Sequence, residues 1–130
     1  MNKALICSIL FIIVIALAFL EQGFVDNTLH TMLDKFDRVK ESIALNETSV
    51  NNENTLQEFY DMKDFWDNRE PRMCIFVDYN HISEVGKAIS KLEIALIDND
   101  STQAKTELNV LIEVVYAFSH IISFNLKNLV

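Results

Sequence analysis

Between Ala4 and Leu20 seventeen consecutive residues carry no charge, most of them Ile, Leu, Val, Ala or Phe, before Glu21 closes the run. Charged side chains are costly at a bilayer centre, so an uncharged stretch of this kind predicts a membrane-directed helix. Beyond Asp26 the pattern changes to helical spacing, with Leu29, Met32, Leu33, Phe36, Val39 and Ile43 on one stripe, and the apolar helix is free to run on directly into this amphipathic one. The Asn-rich segment Asn46–Asn54 ends it. Thr55 with Glu58 forms a capping-box pattern that predicts the start of a second helix, whose stripe is Leu56, Phe59, Tyr60, Met62, Phe65 and Trp66. Pro71 is expected to bend or interrupt that helix, with resumption at Met73 and a turn near Asp78–Asn80. A third stripe follows at Ile82, Val85, Ile89, Leu92 and Leu96. The acidic turn Asp98–Ser101 then offers Asp100 or Ser101 as cap for a last helix over about 102–127, with Leu108, Leu111, Val115, Phe118, Ile121 and Ile122 among its apolar residues.

Two glycines and one proline in the whole chain leave little turn chemistry for a sheet. The predicted fold is all-α: an N-terminal transmembrane helix over residues 1–25, then an antiparallel bundle of about four helices over residues 26–130, enough chain for one modest core. Seventeen helical residues reach roughly 25 Å against a hydrocarbon core of roughly 30 Å, so a span must recruit flanking residues such as Gly23, Phe24 and Val25 or thin the bilayer. An alternative is a cleaved signal peptide, read from the small-x-small pattern Ala16-Leu17-Ala18, although that pattern lies inside the apolar run. Lys3 precedes the run and Glu21 and Asp26 follow it, so the positive-inside bias places the start in the cytoplasm and the remainder outside.

All nineteen acidic residues and ten of the eleven basic ones lie beyond Leu20. So negative a domain is repelled by nucleic acid and by anionic headgroups, which excludes nucleic acid as a partner. Cys7 in the apolar run and Cys74 far along the chain are not placed to pair with each other, leaving Cys74 as a small buried residue or a site of intermolecular pairing. The stretch Val114–Leu126 is also free of formal charge; its thirteen residues fit a buried bundle helix, with an interfacial or partner-binding surface as the other reading.

Candidate chemistry is sparse. Asp78, His81 and Glu84 stand at i, i+3 and i+6, which on one continuous helix would place three metal-capable side chains within about 120 degrees. The competing reading makes Asp78 or Asn80 a helix cap and His81 part of a polar rim, and no metal or other cofactor is expected. Asp61, Asp64 and Asp67 share that spacing but read as a solvated face, and Trp66 with Phe65 as core or groove wall. Asn46-Glu47-Thr48 and Asn99-Asp100-Ser101 match the glycosylation acceptor pattern. No phosphate-binding glycine loop, cysteine pair or nucleophile elbow is present, so an enzyme is not expected.

Taken in order, Trp66, the segment Ile75-Phe76-Val77-Asp78, Ile82 with Glu84 and Val85, the pair Leu92 and Ala95-Leu96, and the ending Leu126-Lys127-Asn128-Leu129 resemble the small proteins grouped as domain of unknown function 4363. Where such proteins commonly carry a His directly after the Asp of the apolar patch, this chain has Tyr79, with His81 two residues on. The resemblance implies a membrane-anchored helical protein outside the cytoplasm, of the type found mainly in spore-forming Gram-positive bacteria, and implies no activity. Two functions are weighed: an anchored module that binds another envelope or membrane protein, and a bundle that senses a metal or small ligand between helices near Trp66, Asp78 and His81.

Overall fold

The computed structural model describes residues 2–129, with side chains described for residues 2–120. Four helices make up the described residues: α1 (Lys3–Leu45), α2 (Glu53–Phe76), α3 (Tyr79–Ile97) and α4 (Ser101–Leu129). Each packs against its neighbours in sequence, and α4 closes the ring against α1. Short connections allow only an up-down-up-down arrangement, which is the antiparallel bundle expected from the stripes.

α1 runs without a break from the apolar segment into the bundle. Its 43 residues extend roughly 65 Å, well beyond any helix it packs against. Every described residue up to Leu20 is exposed, and the first buried side chain is Val25. From there Leu29, Met32, Phe36, Val39 and Ile43 enter the core on the predicted stripe. They meet Phe59, Met62 and Trp66 of α2, Ile82, Val85, Ile89, Leu92 and Leu96 of α3, and Leu108, Leu111, Val115 and Phe118 of α4. None of these helices could bury its stripe alone, so the apolar faces hold one another. The expected core roles of Ile121 and Ile122 lie outside the described side chains.

The loop ends carry their own chemistry. At the close of α1, the Asn46 side chain donates to the Ser42 carbonyl at 3.1 Å. α3 ends in a Schellman motif, with Asp100 N–H donating to Ala95 O at 3.0 Å and Asn99 N–H to Leu96 O at 3.1 Å. That motif requires Asn99 in the left-handed region, at φ 53°. Asp100 then caps α4 as expected, its Oδ1 accepting from Gln103 N–H at 3.0 Å.

Four local expectations are corrected. Pro71 lies inside α2, which continues to Phe76. Trp66 and Met73 stand two turns apart on either side of the proline and are both buried; keeping them in phase offsets the N–H that Pro71 cannot offer to the carbonyl one turn back, and its ring lies on the exposed side of the helix. Helix α2 begins at Glu53 rather than at Thr55, because Asn52 is the cap: its Oδ1 accepts from Thr55 N–H at 2.9 Å. The turn before α3 is confined to Val77 and Asp78, with Asn80 already helical, since Asp78 Oδ1 accepts from Asn80 N–H at 3.0 Å. Cys74 is exposed, not buried, because the α2 stripe passes through Met73 instead.

Candidate functional site

The residues considered for metal binding are dispersed in role. Asp78 is spent on capping α3. His81, half-buried, forms a T-shaped pair with Phe118 of α4, with centroids 5.6 Å apart and planes at 86°. Glu84 is exposed. Among the described residues no group of three or more His, Cys, Asp or Glu side chains is gathered as a metal site. Of the acidic triplet, Asp61 pairs with Lys35 Nζ at 2.6 Å across α1 and α2, while Asp64 and Asp67 remain exposed.

Trp66 is a core residue, 1% exposed, and its indole N–H finds no acceptor among the described residues. Trp66, Asp78 and His81 therefore occupy three different environments, and no feature of the described side chains assembles them around one space. Open grooves lie elsewhere. One follows α1 and α4 between Lys40, Ile43, Glu47, Lys105 and Leu108, with the Lys105–Glu47 ion pair at its edge. Another lies over Arg38, Glu58, Tyr60, Asp61 and Asp64.

Two arrangements were not legible in the sequence. The first is a polar knot at the end of the bundle farthest from the apolar segment. Ser42 and Thr55 share a buried hydrogen bond of 2.7 Å, and Asn54 Nδ2 donates to Ser42 Oγ at 3.1 Å. From the neighbouring turn, Asn99 Oδ1 accepts from the backbone N–H of Val50 at 2.9 Å and its Nδ2 donates to Thr48 O at 3.4 Å. The asparagines of both glycosylation patterns are thus committed to holding helix ends and loops.

The second lies at the opposite end, just past the exposed apolar segment. Arg72 stacks over the Phe24 ring at 4.3 Å, and Arg69 lies 5.2 Å from Phe24 and 4.9 Å from Phe65. Phe24 also meets Phe76 edge-on at 6.3 Å. These contacts bind the last turns of α2 to the point where α1 leaves the bundle, each cation–aromatic pair contributing about 0.5–1 kcal/mol at such half-exposed positions. In the sequence Arg69 and Arg72 stand only as charged flanks of Pro71. Their spacing of three, matched to Phe65 and Phe76 on the same helix, was the available signal.

Among the described residues one helix, near the N-terminus, is long and apolar enough to cross a membrane, and none of its most apolar window is buried in the bundle. The remaining described chemistry is structural: caps, ion pairs and stacked rings. No curated protein and no solved structure matches the chain. The model of the family described as domain of unknown function (DUF4363) matches residues 19–129, from the last residues of the exposed apolar segment through the whole bundle, and the chain belongs to that family.

Proposed function

We propose that this protein is a membrane-anchored interaction module, non-enzymatic, whose helical bundle stands on the outer face of the membrane and binds another envelope or membrane protein. The observation that carries the reading is the unbroken course of α1: every residue of its apolar part up to Leu20 is exposed, with no packing partner among the described side chains, and its continuation is a core helix of the bundle. A helix apolar all round and unburied requires an apolar solvent, and the bilayer is one. Lys3 before the segment and Glu21 and Asp26 after it support an uncleaved anchor with the bundle outside. An interaction role is supported by a core closed around Trp66 together with apolar side chains left in solvent on the far part of the bundle, Leu45, Ile94 and Ile97, each more than half exposed.

Protease added to spheroplasts should digest a C-terminal tag while the intact chain sediments with membranes. Protection of the tag would reverse the orientation, and a mature N-terminus at Phe19 would replace the anchor by a cleaved signal. Crosslinking in native membranes should then trap one dominant partner. Loss of that adduct in Ile94→Asp with Ile97→Asp, both surface changes, tests the face itself; an unchanged adduct would move the interface elsewhere.

A further inference from the structure

Nothing flexible separates the apolar segment from the bundle, so the depth of one determines the height of the other. The apolar run ends at Leu20, and Phe24, one helical turn further, is stacked against Arg72 and Phe76 of α2. Four residues of helix rise about 6 Å. The headgroup layer on each side of a bilayer is roughly 5–8 Å deep, taken from the total and hydrocarbon thicknesses. The run itself is shorter than the hydrocarbon core, about 25 Å against about 30 Å, and exposing lipid tails to water is unfavourable, so the mismatch draws the base of the bundle toward the bilayer.

The base carries what such a position demands. Ile75 is 74% exposed and Tyr79 68% exposed, on either side of the two-residue turn Val77–Asp78. An aliphatic and a tyrosine exposed at the facing ends of two helices suit the boundary between headgroups and tails. Arg72, also exposed, is held beside them by Phe24 with its guanidinium free of any carboxylate among the described ion pairs. Within residues 69–79 Glu70 and Asp78 balance Arg69 and Arg72, and Glu21 and Asp26 flank Phe24 on α1, so this surface offers no net positive charge that would call for an anionic lipid.

We propose that the α2–α3 turn is a second membrane contact: Ile75 and Tyr79 insert at the headgroup boundary and Arg72 meets lipid phosphate, so that the bundle rests on the bilayer at a determined height. The occupant of this apolar base is lipid, not another protein. Insertion is driven by apolar and aromatic area, and it proceeds equally on phosphatidylcholine and on membranes containing phosphatidylglycerol. The inference rests on the anchoring described above, and the two fail in different ways.

The test uses the full chain. Cys7→Ser leaves exposed Cys74, adjacent to Ile75, as the sole thiol for a nitroxide spin label; Asn80→Cys in a chain lacking both native cysteines provides a second reporter, and Thr48→Cys in the same background a distant one. Each is reconstituted into phosphatidylcholine vesicles, with and without phosphatidylglycerol, and collision with dissolved oxygen and with a water-soluble nickel chelate is measured. Labels at 74 and 80 should lose most of their nickel collisions and keep those with oxygen, in both lipids, while the label at 48 stays fully accessible to nickel. Labels at 74 and 80 as nickel-accessible as the one at 48, in a chain that resists alkaline carbonate extraction, would overturn the contact and leave the anchor standing. Protection appearing only with phosphatidylglycerol would overturn the apolar mechanism. Release of the chain by carbonate would overturn the anchor and this inference together.

Discussion

Asn99 joins two energetic terms that mutation can separate. Its backbone occupies the left-handed region, at φ 53°, to close the Schellman motif of α3, and its side chain accepts from the N–H of Val50, a residue with no solvent exposure. Asn99→Gly removes the acceptor and leaves that N–H unpaired, a cost of about 1–3 kcal/mol. Glycine adopts the left-handed region without penalty, which returns up to about 1 kcal/mol. Taking the middle of both ranges, the expected net loss is about 1–2 kcal/mol. Asn99→Ala loses the same hydrogen bond and must also hold a Cβ at positive φ, which costs about 1–2 kcal/mol more than glycine. The alanine variant should fall about 2–4 kcal/mol below the native chain. For a domain near this size each kcal/mol shifts the melting midpoint by roughly 4–8 °C, so the two variants are resolvable by circular dichroism of the full chain in detergent. Equal melting of the glycine and alanine variants would refute the left-handed requirement. A glycine variant more stable than the native chain would show that the Asn99–Val50 bond contributes less than the relief of the left-handed backbone.

Trp66→Ala should cost about 3–5 kcal/mol by opening a cavity in the core, whereas Trp66→Phe should cost clearly less, since it keeps a ring and removes an N–H that has no acceptor; unchanged melting of the alanine variant would take the residue out of the core. Pro71→Ala restores a helix N–H at an exposed position and should stabilise by about 1–3 kcal/mol once the greater freedom of the unfolded chain is subtracted, and a loss of stability in the same melting assay would mean that the proline geometry is needed. Chelator should leave the melting midpoint unchanged and the purified protein should hold no stoichiometric metal; one equivalent of zinc that disappears in His81→Ala would reverse this and favour sensing.

The helices themselves were legible in the sequence because their signal is local. Stripes such as Met32–Phe36–Val39–Ile43 and Ile82–Val85–Ile89–Leu92 repeat at the helical period, and any partner that buries one face selects the same residues. The acidic turn before α4 was legible for a similar reason, since an Asp caps the helix that begins beside it. Errors arose where a local rule met a distant contact. Pro71 breaks an isolated helix, yet here the burial of Trp66 and Met73 outweighs it. Thr55 has the form of a cap, yet Asn52 takes that place, and the Thr55 hydroxyl is drawn instead into the bundle by Ser42, thirteen residues away.

Three arrangements belonged to the tertiary structure alone: the pairing of Asn99 with the loop at Val50, the seating of Arg69 and Arg72 on Phe24, and the exposed placement of Ile75 and Tyr79 beside the end of the apolar run. Each depends on which helix ends meet, and that is decided by the order and lengths of the helices once their apolar faces close on one another. Periodicity records which face of a helix is buried. It carries no record of which residues, some fifty positions apart, the closed ring brings to the same end.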